Sequence, residues 1–296
     1  MLKYPGVKIN QLKHLYINPL ERCNLNCKIC YTKKTKFVLS NQEILDFIDR
    51  YQKVQELESV TFCGGEVFLL KDFPTLVNKL TKKGIFVQII SNGTIDRLTE
   101  IKQSNMVNLI ISIDGLEKYH DQNRGTGNFQ KSISLLQKAK KLAFHFEVFS
   151  IVTKENLKQI DDFEQELENI FGKKIAVTYH PRKPMTYLQK HPISNIVGQV
   201  EGFNFLDKEE IEELMNKYPS FPPKDLGCFQ ISLMSDGQVY ACCEGIKPIG
   251  NIKSDTQEII TSLKNRLAVW DDKYYGHKCA GCVEKNFVCG FSSKKT

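Results

Sequence analysis

No run of 18 or more apolar residues occurs in the 296-residue chain, so no segment has the length and apolarity of a membrane span. The N-terminus, MLKYPGVKINQLKH, lacks an apolar core and a small-residue cleavage site. It is therefore not a secretory signal, and the chain is expected in the cytoplasm. Cysteine is missing altogether between Gly64 and Gly227. In a reducing compartment the ten cysteines are not expected to pair as disulfides, which favours metal or redox chemistry. The gap sorts them into three at 23–30, one at 63 and six at 228–289. What the first set lacks is a fourth thiol. Four thiolates close a metal site, whereas three leave one position open, and an open position is where chemistry occurs.

Internal repeats and low-complexity segments are also lacking. The balance of 41 basic against 34 acidic residues, a net charge of +7, is a weak signature of an anionic partner. Lysines fall in scattered pairs such as Lys82–Lys83, Lys140–Lys141 and Lys173–Lys174. These read as solvated helix ends, and nucleic acid is not the expected partner.

What is present is an alternation of apolar β-type runs with amphipathic helical runs. Strands are expected at 15–18, 59–62, 85–90, 107–113, 144–152 and 174–179, with helices between them. Ser40 and Glu43 stand at capping-box spacing, and Asp72 and Pro74 open a helix that ends at Gly84. Six such units predict an α/β fold: a partial (β/α)6 TIM-like barrel with a parallel sheet over residues 1–180. Chemistry then belongs at the C-terminal strand ends, where CNLNCKIC (23–30) follows the first strand and CGGE (63–66) the second. Prolines loosen the pattern over a connector, 181–225, with one helix near 207–218. A smaller cysteine-rich domain, 226–296, is expected to hold a β-hairpin turning at Asp236–Gly237 and a helix over 255–269.

The spacing Cys23-x3-Cys27-x2-Cys30, followed by Tyr31, resembles the signature of the radical S-adenosylmethionine (SAM) enzymes. The resemblance continues through GGE (64–66), SNGT (91–94), SIDG (112–115) and HDQNRGTGNF (120–129), and covers most of residues 12–180. It implies that Cys23, Cys27 and Cys30 hold a 4Fe–4S cluster whose fourth iron takes SAM. It further implies that Gly64, Gly65 and Glu66 line the methionine amino group, with Glu66 as acceptor. Ser91, Asn92 and Ser112 would lie near the ribose or carboxylate, and Tyr31, Asp114 and Arg124 would complete the cofactor site. Reduction by a low-potential donor of flavodoxin or ferredoxin type would cleave SAM to a 5′-deoxyadenosyl radical that takes hydrogen from substrate. Taken alone, Asp114 and Arg124 also read as an ion pair, and Cys63 reads as a small buried hydrophobe.

The second cysteine set resembles the SPASM and twitch extensions of the same enzymes. Cys228, Cys242, Cys279 and Cys282 would hold one auxiliary 4Fe–4S cluster, with Cys289 spare. A structural zinc site is the alternative for the same four thiols. Adjacent strand residues point to opposite faces, so Cys243 is directed away from that cluster. It is either an inert thiol or a hydrogen donor to a substrate radical, as in radical SAM epimerases. The resemblance implies an enzyme acting on a peptide or small natural product by epimerisation, dehydrogenation or crosslinking. RNA modification and a non-catalytic electron-transfer protein are the alternatives.

Overall fold

The computed structural model describes residues 12–183, 185, 198–218, 228–243, 245, 247–268 and 291–292. Six parallel strands are laid down in chain order: β1 His14–Ile17, β2 Ser59–Phe62, β3 Phe86–Ser91, β4 Val107–Ser112, β5 His145–Val152 and β6 Val177–Pro181. Around them run α1 Asn41–Gln52, α2 Phe73–Lys82, α3 Glu117–Arg124, α4 Asn128–Lys141, α5 Lys154–Leu157 and α6 Ile160–Phe171. This is the α/β frame with a parallel sheet that the alternation predicts. Two differences have physical causes. The β3–β4 crossover contains two 3₁₀ turns, Leu98–Glu100 and Ser104–Met106, in place of an α-helix. The sixth strand begins at Val177 instead of 174, because its register is set by Val148–Val152 of β5 and carries it on to Pro181.

Strand alternation separates two faces. In β1, β2 and β3 the buried positions Leu15, Ile17, Val60, Phe62, Val87 and Ile89 join the core under the helices. Each such side chain contributes about 1.5–3 kcal/mol by leaving water. The alternate positions are half-buried; His14, Tyr16, Ser59, Thr61 and Gln88 among them are polar, Phe86 and Ile90 apolar. Across this helix-free face His14 Nδ1 meets Ser59 Oγ at 2.6 Å, and Thr61 Oγ1 donates to Gln88 Oε1 at 3.0 Å. Asn108 Nδ2 donates to Glu147 Oε1 at 2.8 Å. Helix α1 starts where its sequence says it should, with Ser40 and Glu43 satisfying each other's backbone N–H. Asp72 makes no side-chain cap on α2, which starts instead on Pro74 in its first turn.

Beyond α7 (Lys208–Lys217), strands β7 Cys228–Leu233 and β8 Gln238–Cys242 form the expected hairpin. Its turn rests on Gly237 at φ +80°, a left-handed conformation that glycine takes without strain. A third strand, β9 Pro248–Asn251, and α8 Thr256–Ala268 follow. β7 pairs parallel with β1, so the hairpin extends the barrel sheet rather than standing apart from it. At the opposite edge a short β10, Phe291–Ser292, runs antiparallel to β6. Among the described residues, no helix is long and apolar enough to cross a membrane. Cys279, Cys282 and Cys289 lie outside the described residues.

Candidate functional site

The loop after β1 carries Cys23, Cys27 and Cys30, all half-buried, while Ile29 between them is buried. Main-chain and amide bonds fix this loop from three sides. From the β2 end, Gly65 N donates to Leu20 O and Glu66 N to Arg22 O, both at 2.9 Å. From α3, Asn123 accepts Lys28 N on its carbonyl at 3.1 Å and Ile29 N on Oδ1 at 3.3 Å. From the β3 end, Asn92 Nδ2 donates to Asn24 Oδ1 at 2.9 Å and reaches Cys23 Sγ at 3.5 Å. Leu25 N also points at Cys23 Sγ, at 3.4 Å. Amide donors aimed at sulfur favour the thiolate, which is the metal-binding form. In the ligand-free chain burial pushes the Cys23 thiol up, and pushes Cys27 up to about 11.

The two glycines at 64 and 65 are spacing elements. Gly64 sits at φ +152°, and a Cβ there would meet Leu20 O at 2.3 Å and Asn18 Oδ1 at 2.5 Å. At Gly65 a Cβ would fall 2.0 Å from Arg22 O, so any side chain displaces the backbone just before Cys23. Gly65→Ala is expected to lower SAM cleavage about 10²-fold. The chain should meanwhile keep its far-ultraviolet circular dichroism, with iron counting after anaerobic reconstitution showing incomplete loading.

Glu66 is fully buried and its carboxylate is already engaged. Oε1 accepts Phe68 N at 3.2 Å, Oε2 accepts Asn92 N at 2.8 Å, and Ser91 Oγ lies 2.9 and 3.0 Å from the two oxygens. Burial pushes this carboxyl up, against the pull of those donors and of Arg124. Glu66 thus fastens the 91–94 turn to the 64–66 ridge. Ser132 Oγ, on α4, holds the same turn through Asn92 O at 2.8 Å.

Asp114 and Arg124 form a two-pronged ion pair. Nε donates to Oδ2 at 2.7 Å and Nη2 to Oδ1 at 2.9 Å, with Asp114 wholly buried. Burial alone would push the Asp114 carboxyl up; the Arg124 charge and hydrogen bonds outweigh it and hold the carboxyl below its usual range. Asn123 Nδ2 also donates to Asp114 Oδ2, at 2.7 Å. The pair is therefore chained through Asn123 to the cysteine loop, and the Arg124 charge reaches the Cys27 and Cys30 thiols. Ser112 ends β4, paired with Phe149 of β5. Tyr31 is half-buried, with Lys183 Nζ 5.8 Å from its ring centroid.

Tyr16, which the sequence did not single out, and Cys63, which it did, stand beside this site. Tyr16 lies on the helix-free face of β1; burial pushes its hydroxyl well up, and Cys63 and Cys243 are both within its electrostatic reach. Cys63 is half-buried instead of the buried hydrophobe expected, and its N–H donates to Ile17 O at 3.1 Å. Cys228 and Cys242 are main-chain partners across β7 and β8. Cys243 falls in the turn after β8, so the strand alternation expected to direct it stops one residue short. Tyr16 pairs with Thr61, two residues before Cys63; that register joins distant segments and is not written in the sequence.

The model of the radical SAM superfamily matches residues 17–167. GTP 3′,8-cyclase of Aquifex aeolicus is 24% identical over 266 residues, covering 78% of this chain and 82% of that one. The sporulation killing factor maturation protein SkfB of Bacillus subtilis is 26% identical over 283 residues, covering 88% and 67%. Among solved structures, anSMEcpe with bound AdoMet and Cp18Cys peptide superposes with a TM-score of 0.69 at 19% identity, covering 92% of this chain and 89% of that one. SuiB of Streptococcus suis with its precursor peptide SuiA gives 0.56 at 17%, covering 86% and 65%. These likenesses place the same frame around the loop of three thiols. The family match runs from the last residue of β1 into α6, through every motif that touches that loop, and the chain belongs to the radical SAM superfamily.

Proposed function

We propose that this radical SAM enzyme modifies a peptide, with epimerisation as the reaction the site favours. A 4Fe–4S cluster on Cys23, Cys27 and Cys30 fits the donor set: three thiols on one loop, with amides turned toward sulfur and a buried cation near. When bound, the cluster and SAM supply one-electron cleavage of SAM and, through it, removal of a hydrogen atom from substrate. The chain's own part is positioning. Glu66 holds the 91–94 turn and keeps acceptor capacity for the methionine amino group. Gly64 and Gly65 let the ridge approach closely, and Ser91, Asn92, Ser112 and Tyr31 line the remainder. Arg124 offsets the negative charge of the thiolates.

The auxiliary site would use Cys228, Cys242, Cys279 and Cys282 for a second 4Fe–4S cluster. Its support is the main-chain pairing of Cys228 with Cys242. Support for a peptide substrate comes from the similar proteins: the structures of anSMEcpe and SuiB hold peptides, and SkfB is a maturation protein.

Cys243, in the turn after β8 and within electrostatic reach of Tyr16, carries the choice of epimerisation. The bound cofactors would supply removal of the substrate's Cα hydrogen, and the Cys243 S–H would return one to the opposite face. The sulfur radical left behind would be restored by one electron from the reductant and one proton from solvent. Reconstituted protein given dithionite, SAM and a panel of synthetic peptides tests this in deuterated water. Wild type is expected to place one deuterium at Cα, and Cys243→Ala to form 5′-deoxyadenosine with no deuterated product. An unchanged product from Cys243→Ala removes the donor role.

A further inference from the structure

The connector that follows β6 is fastened to the barrel at several points. It starts at Arg182, whose N–H donates to Val152 O at 2.9 Å, at the end of β5. Arg182 is buried, and its guanidinium gathers the chain that comes later. Nη1 donates to Phe203 O, Nη2 donates to Gly198 O at 2.7 Å, and Cζ lies 4.1 Å from the Phe205 ring centroid. Glu155, in α5, fixes the residue after Phe203, accepting Asn204 N at 2.8 Å and Asn204 Nδ2 at 2.6 Å. Asn204 O in turn accepts Lys154 N at 3.1 Å, and Lys154 Nζ pairs with Asp207 Oδ2 at 2.5 Å. Residues 198–207 are thereby strapped to the C-terminal ends of β5 and β6.

The strap delivers one side chain to the candidate site. Phe203 is fully buried, yet it stands outside the main core: with Ile29 and Tyr119 it makes a second, small apolar cluster, bordered by Ile151 and Val200. The Phe203 and Tyr119 ring centroids are 5.1 Å apart, and the Tyr119 hydroxyl meets Thr153 Oγ1 at 2.6 Å. Ile29 is the only buried residue between Cys23 and Cys30. It lies inside the turn that Cys30 N closes on Cys27 O at 3.2 Å. The cysteine loop is therefore gripped twice, its main chain by Asn123 and its one buried side chain by Phe203 and Tyr119.

We propose that Phe203 is a positioning residue for the cysteine loop: the 198–207 strap seats its ring against Ile29, which holds the Cys27–Cys30 turn in one conformation and keeps it dry. This rests on the reading of the trio as ligands of a 4Fe–4S cluster. Ligands held in place by their surroundings bind metal more tightly, and the apolar shell around a cluster controls water access and with it the reduction potential. Reduction adds negative charge, which an apolar surround disfavours, so opening that shell to water raises the potential.

The test compares Phe203→Ala, the conservative Phe203→Leu, Arg182→Met, and Phe163→Leu, a change at a buried ring of the main core. In the iron-free full chain, hydrogen exchange at the Lys28 and Ile29 amides is expected to quicken about tenfold in Phe203→Ala and in Arg182→Met. After anaerobic reconstitution, iron loss to a chelator should quicken about tenfold in Phe203→Ala, and the midpoint potential followed by electron paramagnetic resonance should rise. Phe203→Leu should restore most of both. Phe163→Leu should lower the unfolding midpoint while leaving amide exchange in this loop, iron retention and potential as in wild type. Loop amides that exchange in Phe203→Ala as they do in wild type overturn the proposal. So does an unchanged potential beside a lowered unfolding midpoint, which would make Phe203 a packing residue only. Equal changes in Phe163→Leu also overturn it, because they would report general loosening. Should Phe203→Ala fail to fold, the loop amides of Arg182→Met decide alone. A wild type that takes up no iron refutes the cluster reading, whereas amide exchange, measured without iron, still decides the strap.

Discussion

Cys27→Ala is expected to form no 5′-deoxyadenosine above background while remaining folded. The thiol is half-buried on a loop, outside the core layer that sheet and helices share, so its loss should change unfolding free energy by no more than about 1 kcal/mol. Burial holds the thiol protonated at neutral pH in the ligand-free chain, with its pKa pushed up to about 11. Binding iron displaces that proton, and the energy of the metal–sulfur bond drives the exchange. Alanine offers nothing to displace, and the two remaining thiols cannot hold three corners of a cluster. Iron and sulfide counting, with electron paramagnetic resonance of the dithionite-reduced protein, should show loss of the SAM-responsive signal. Cys63→Ala is the internal control: it also lies beside the site, yet it should retain both signal and 5′-deoxyadenosine. Retention of cleavage by Cys27→Ala would mean that the trio is not the ligand set.

The features legible in the sequence were those written over short spans. Three cysteines within eight residues, two glycines before Glu66, and Ser40 with Glu43 all depend on neighbours in the chain. Periodicity gave five of the six barrel strands to within one residue, because one face of each packs under helices. The features that escaped depend on contacts between distant segments. Nothing in GCFQISL says that it will lie against LYI more than 200 residues earlier, yet β7 does so. Asn123 looks like any helical asparagine until the loop of cysteines rests two N–H groups on it.

At the buried Asp114–Arg124 pair, breaking one side should cost the most stability of any single change at the site. Asp114→Ala leaves a guanidinium whose side chain is 12% exposed with no carboxylate, and a penalty of about 3–5 kcal/mol is expected in anaerobic urea unfolding. Arg124→Met leaves the carboxylate with Asn123 Nδ2 and the Ile151 N–H at 3.3 Å, which compensate only part of the loss. The double variant removes both charges, so its loss should be smaller than the sum of the single losses by about 2 kcal/mol or more. Acid should act on the wild type in the same direction. A carboxyl held below its usual range contributes stability above that range and surrenders it as pH falls through the lowered value, so the pair should survive mild acid. Strict additivity of the two variants would show that the charges do not couple. Coupling with unchanged cleavage of SAM would show that the chain from Asp114 through Asn123 to Lys28 and Ile29 braces the fold without aligning the three thiols. The expected result is both: lower stability, and lower cleavage in either single variant. The same asparagine grips the buried pair with its side-chain amide and the cysteine loop with its carbonyl oxygens.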